Sequence, residues 1–248
     1  MKILLLNPNT SEVITDQLVE VARRYAAPGT EIVPATGAYG VPYIANRAEA
    51  VIGASAALEI LAQQHRDVDG AILAAFGDPG LGAARELFDI PIVGLAEAGM
   101  LTACMLGKRF AIVTFSTALG AWYQECVEWN QLQDRCCAIR MLDQSFQSIG
   151  SVRDEKEELL AELALAAVNE NGADVIVLAG APLSGLADRI RDRVPVPMID
   201  CAAAATKQIE GLVSLGLKAP EVGTFRRPVA KETIGISEVL AARIEHRS

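Results

Sequence analysis

The chain has 248 residues, of which 51% are hydrophobic, 21% charged and 5% aromatic, so a sizeable core must be built from Ala, Val, Ile and Leu, and a disordered chain or a disulfide-stapled miniprotein is excluded. Its 31 acidic and 22 basic residues give a formal net charge of -9 with no Lys/Arg cluster, a poor match to a phosphate backbone, and no apolar run nears the ~20 residues of a membrane span. Five cysteines without a CxxC pair, and two histidines, argue against a Cys/His metal site and fit a reducing cytoplasm.

In chain order, residues 3–6 form a short apolar run, too short for a signal peptide, that meets a turn at Asn7-Pro8. A segment after Thr10 follows, in which Val13, Leu18 and Val21 share a helical face. Residues 49–64 are helix-like; 71–75, 90–94 and 110–114 are near-continuous apolar runs of buried parallel-strand type. The pattern then repeats with a helix over 154–171, strands over 174–179 and 197–200, and a helix over 202–215. This is the rhythm of α/β units, with no Pro- or Gly-rich linker dividing the chain.

Self-similarity is the stronger signal. Residues 2–10 align without a gap on 109–117, 69–75 on 174–180 and 91–98 on 197–204, at spacings of 107, 105 and 106. Three matches in one order imply a duplication and an α/β fold of two pseudo-symmetric lobes, each a small parallel sheet flanked by helices, with the active-site cleft between them. The expected division is 1–97 with about 208–248 for the first lobe, and 98–207 for the second. The tail, with Phe225-Arg-Arg-Pro228, is expected to pack back on the first lobe. Ligands of parallel α/β sheets lie beyond the carboxyl ends of the strands. The cleft lining is therefore expected from Asn7, Asn9, Thr10 and Ser11, from residues 75–78, from Thr114, Ser116 and Thr117, and from residues 180–182.

Asp78-Pro79 and Ala181-Pro182 look like helix openings whose free amides can hold an anion. Asp78 reads either as the N-cap of the helix it precedes or as a base or substrate orienter. Thr10 or Ser11 caps the first helix or faces the ligand, and the repeat partners Ser116 and Thr117 favour the ligand. Glu97 suits the first turn of a helix. Trp122, Tyr123 and Trp129 read as packing or rim, and His65 and His246 as surface residues.

Asn7-Pro-Asn-Thr-Ser11, Ala75-Phe-Gly-Asp-Pro-Gly-Leu81, Ala83-Ala-Arg-Glu86, Val93-Gly-Leu-Ala-Glu-Ala98 and Val113-Thr114 resemble the aspartate/glutamate/hydantoin racemase superfamily, nearest its hydantoin and allantoin branch, over about residues 1–217. The resemblance implies a two-lobe fold, no cofactor, and a cleft for a hydantoin-like ring or an amino-acid carboxylate. It also implies two cysteines on opposite faces of the substrate carbon, one thiolate removing the proton and one thiol returning it. Here those two positions are Ala75 and Gly180, and neither a methyl group nor a hydrogen can exchange a proton. Cys201 at a strand end, Asp78 and Asp200 are substitute proton carriers to weigh, with Cys104, inside a helix, behind them; a small buried role suits Cys201 better. The expected substrate contacts are Asn9, Thr10, Phe76, Gly77, Ser116, Thr117, Gly180 and Ala181. The reading is a cofactor-independent isomerase in the cytoplasm, acting on a small cyclic amide or amino-acid derivative without the two-cysteine route. Its alternatives are a hydrolase or decarboxylase using the same cleft, and a non-catalytic binder of a carboxylate or hydantoin. Its partners are a small-molecule substrate and further copies of itself, with neither nucleic acid nor membrane.

Overall fold

The computed structural model describes residues 1–143, 145–217 and 219–247. The first lobe contains β1 (Lys2–Asn7), α1 (Glu12–Tyr25), β2 (Glu31–Thr36), α2 (Arg47–Gln64), β3 (Gly70–Leu73), α3 (Leu81–Leu87) and β4 (Ile92–Gly94). After α4 (Leu95–Leu106) the second contains β5 (Phe110–Thr114), α5 (Gly120–Trp129), β6 (Cys136–Met141), α6 (Val152–Glu155), α7 (Glu157–Asn171), β7 (Val175–Leu178), α8 (Leu186–Ile190) and β8 (Met198–Asp200), followed by α9 (Cys201–Ser214) and α10 (Glu238–Ile244). Each lobe holds one four-stranded parallel sheet, and the orders correspond: β2-β1-β3-β4 and β6-β5-β7-β8.

Alternation along β1 shows how the layers form. Ile3 and Leu5 point into a large core shared with α1, α4, α9 and the second sheet, while Leu4 and Leu6 point the other way, beneath α2 and α3. Between the lobes α4 and α9 lie close because each offers small residues: a Cβ on Gly99 would fall 2.6 Å from Cys201 Sγ. On another side α1 reaches the second lobe, where Gln17 Nε2 donates to Gly150 O at 2.8 Å and Tyr25 Oη to Asp188 at 2.5 Å.

The six expected strands are present, within two residues at either end. β2 and β6 escape the sequence pattern because both are edge strands: β2 contains Pro34 and is mostly only partly covered, and every residue of β6 is half-buried. The helix expected over 154–171 is broken at Lys156, whose φ of -115° leaves the helical range. A straight helix would turn Val152 and Leu160 about 80° apart; the break lets both be fully buried. The tail packs on the first lobe, as expected: α10 lies against α2, and Arg243 pairs with Asp89 at 2.7 Å, while Ser248 falls outside the described residues. Among the described residues no helix is long and apolar enough to cross a membrane.

Candidate active site

Loops from the carboxyl ends of both sheets close on one small cleft. Its wall is Asn9 after β1, Tyr43 and Ile44 after β2, Ala75 and Phe76 after β3, Phe115 after β5, Trp122 and Tyr123 of α5, and Gly180, Ala181 and Pro182 after β7. Ala75 and Gly180, one from each lobe, thus line the same space. Its volume is about 30 Å³, the share of a single water molecule.

Asn9 is held by its neighbours. The fully buried Asn7 donates from Nδ2 to Asn9 Oδ1 at 2.9 Å and to Thr15 Oγ1 at 3.1 Å, and the Ser11 backbone N–H donates to the same Asn9 oxygen at 2.9 Å. A backbone N–H can only donate, so the atom facing Ser11 must be oxygen, and Asn9 Nδ2 is left to donate into the cleft. On the second lobe Thr114 gives its hydroxyl proton to Ala179 O at 2.9 Å. It can therefore only accept from the neighbouring Tyr123 hydroxyl, which turns its oxygen lone pairs outward. Burial pushes the Tyr123 phenol well above its ordinary value, so it stays protonated and is not a base.

The Gly180 side is filled differently from a thiol site. Gly180 has φ +114°, and a Cβ there would fall 2.8 Å from Phe115 Cε1 and 3.5 Å from Tyr123 Oη. Tyr43, Phe115 and Phe146 form a trio of rings above the cleft, with centroids 5.7–6.4 Å apart.

Of the residues expected to contact substrate, Asn9, Phe76, Gly180 and Ala181 are on the wall, and Thr10, Gly77, Ser116 and Thr117 are not. Thr10 ties down the loop after β2, its N–H donating to Val41 O at 3.0 Å. Gly77 lies behind the wall against Trp122, whose Cζ2 would be 2.4 Å from a Cβ. Ser116 caps the turn that follows, accepting from Ala118 N at 3.3 Å, and Thr117 is exposed. Ser11, not Thr10, caps α1. Tyr43, Ile44 and Phe115 were missed, the first two because their loop follows the unread edge strand β2; applying the strand-end rule to β2 would have found them.

Asp78 does not cap α3, whose N-cap is Gly80. With φ +47° it turns back and caps α4, its oxygens accepting from Ala96 N and Glu97 N, both at 2.8 Å. The residue keeps some solvent contact, but its carboxylate is enclosed against Gly94. Burial pushes it up to about 7 against the pull of those two amides. Asp200 caps α9, accepting from Ala202 N at 2.9 Å and Ala203 N at 3.2 Å, and burial raises it as well. Glu97 is locked to Arg85, which also donates to Ile92 O. Cys201 is buried at the start of α9 and donates to Leu178 O at 3.3 Å, and burial pushes its thiol far up. Neither aspartate nor Cys201 is on the cleft wall. Among the described residues no group of three or more His, Cys, Asp or Glu side chains is placed to hold a metal ion.

Comparison with known proteins agrees with this architecture over its full length. A hydantoin racemase of Pseudomonas sp. strain NS671 is 31% identical over 239 residues, 96% of each chain, and one of Paenarthrobacter aurescens is 30% identical over 234 residues, 94% of this chain and 99% of that one. Allantoin racemase from Klebsiella pneumoniae superposes with a TM-score of 0.91 at 34% identity, covering 97% of this chain and 98% of that one. The family model for Asp/Glu/hydantoin racemases matches residues 3–209, and the chain belongs to that family.

Proposed function

We propose that the chain is a hydantoin-racemase-like, cofactor-independent isomerase of a small cyclic amide, working without the two-thiol route. The observation that carries this is the polarity of the cleft. Asn9 Nδ2 supplies a donor from one lobe and the Tyr123 oxygen an acceptor from the other. A carboxylate needs donors only, whereas a ring amide presents a C=O and an N–H side by side. In this reading Asn9 donates to the ring carbonyl, whose oxygen gathers charge as the neighbouring carbon loses its proton. Tyr123 accepts the ring N–H and fixes the plane of the ring. With Ala75 and Gly180 on the wall no sulfur takes the proton, and the acid and base are unassigned. A non-catalytic binder is the second reading, favoured by Phe115, whose ring crowds the place of the second thiol.

Incubation of an optically pure 5-substituted hydantoin in deuterated water, followed by polarimetry and mass spectrometry, separates the readings. Racemisation with deuterium uptake at the ring carbon is expected. Uptake with retained configuration means that only one face is served, and a product of altered skeleton mass means hydrolysis or decarboxylation. Calorimetric binding without exchange gives the binder, and neither binding nor exchange ends the cyclic-amide reading.

A further inference from the structure

A second pocket of about 390 Å³ lies behind the cleft, and Trp122 is the wall that the two share. The cleft holds one water, whereas the outer pocket falls within the range of small-molecule sites. One side of it is a single face of α5: Trp122, Glu125 and Trp129 stand at i, i+3 and i+7, so the two indoles are about 10 Å apart along the helix axis. The facing side is the 77–83 segment, including Leu81 and Gly82. Trp122 is 8% exposed and packed on Gly77, but Trp129 is 71% exposed at the helix end, lying over Gly82 with its ring toward the pocket. Core packing accounts for the first indole and not for the second.

Resting on the cyclic-amide reading, we infer that this outer pocket takes the ring substituent of the substrate, that the substituent is aryl or similarly bulky and apolar, and that Trp122 and Trp129 set its size. The ring sits in the cleft between Asn9 and Tyr123, Trp122 marks the boundary, and Trp129 is the flat surface on which the substituent lies.

The test is calorimetric binding of 5-benzylhydantoin and 5-methylhydantoin to the full chain and to two variants chosen to spare the fold. Trp129→Ala removes an exposed ring. Gly82→Leu fills the pocket from the other side, where a Cβ meets nothing closer than Trp129 at 3.6 Å. The natural protein is expected to bind the benzyl compound about tenfold more tightly than the methyl one. Each variant is expected to bring that ratio near one while leaving the methyl compound within about twofold. A ratio near or below one in the natural protein, or a ratio that neither variant changes, overturns the inference and leaves the cyclic-amide reading standing. Failure to bind either compound overturns both.

Discussion

Gly94 and Asp200 occupy matching places in the two lobes, each immediately before a helix, yet only the second has a side chain with which to cap it. The first lobe solves the problem from a distance: a Cβ on Gly94 would fall 2.3 Å from Asp78 Cγ, so the glycine makes room for the Asp78 carboxylate. That carboxylate bonds Ala96 N and Glu97 N, the counterparts, at the repeat spacing of 106, of the Ala202 N and Ala203 N bonded by Asp200. Because the folded protein holds the Asp78 proton up to about 7 and the unfolded chain releases it near 3.8, the folded state binds more protons between those values. Asp78 therefore makes stability fall as pH rises through that window. Asp78→Asn cannot titrate and loses one of the two caps, at a cost of about 1 kcal/mol. Urea unfolding from pH 4 to 8 should show the natural protein losing stability relative to the variant as pH rises to about 7, then running parallel; a constant difference would refute a raised Asp78. The matched family positions behave unequally. Ala75→Cys should be tolerated, but Gly180→Cys puts a Cβ at φ +114° and against Phe115, costing about 1–2 kcal/mol. The double variant should therefore show no racemisation by polarimetry, and adding Phe115→Ala should be required before any appears.

At the scale of elements, the central strands were legible and the edges were not, for one physical reason. β1, β3, β5 and β7 are buried on both faces and read as unbroken apolar runs, whereas β2 and β6 are covered on one side and resemble loops. Losing β2 also hid Tyr43 and Ile44, so half the strand-end rule was applied and Asn9, Phe76, Gly180 and Ala181 were reached without their neighbours. The duplication survived because it rests on the central strands. Trp122, Tyr123 and Phe115 carry no polar pattern that separates a cleft wall from a core, and Asp78 could not be read as a remote cap because that contact spans 18 residues. The α4 and α9 pairing makes a prediction of its own. Gly99→Ala gains helix propensity but places a methyl 2.6 Å from Cys201 Sγ and 3.3 Å from Val177 Cγ1, for a net loss of about 1–2 kcal/mol. Adding Cys201→Ala should recover much of it, and a double-mutant cycle by chemical unfolding should give a clear favourable coupling; additive losses would mean that the two helices do not meet there.

Considered as a whole molecule, the two lobes are joined along α4 and α9 and again where α1 meets the second lobe, and the cleft opens between these joints beneath a roof of rings. Tyr43 comes from the first lobe, Phe115 and Phe146 from the second, so this trio bridges the lobes without a covalent or ionic link. Nothing larger than water fits under it, so a ligand must part the roof, and the roof must be weaker than the joints. The rings make that possible: the segments that carry Tyr43 and Phe146 are non-helical and partly exposed, and a ring pair contributes only about 0.5–1.5 kcal/mol beyond its burial. Phe146→Ala removes two of the three ring contacts and leaves α4, α9 and Gln17–Gly150 intact. Hydrogen exchange should then speed up in residues 40–46 and 115–119, where amides lose the cover of the trio, while β1, β3, β5 and β7 keep their protection and global stability falls by about 1 kcal/mol. Faster exchange spreading into the α4 and α9 interface would mean instead that the rings hold the lobes together, and that access to the cleft requires the whole molecule to open.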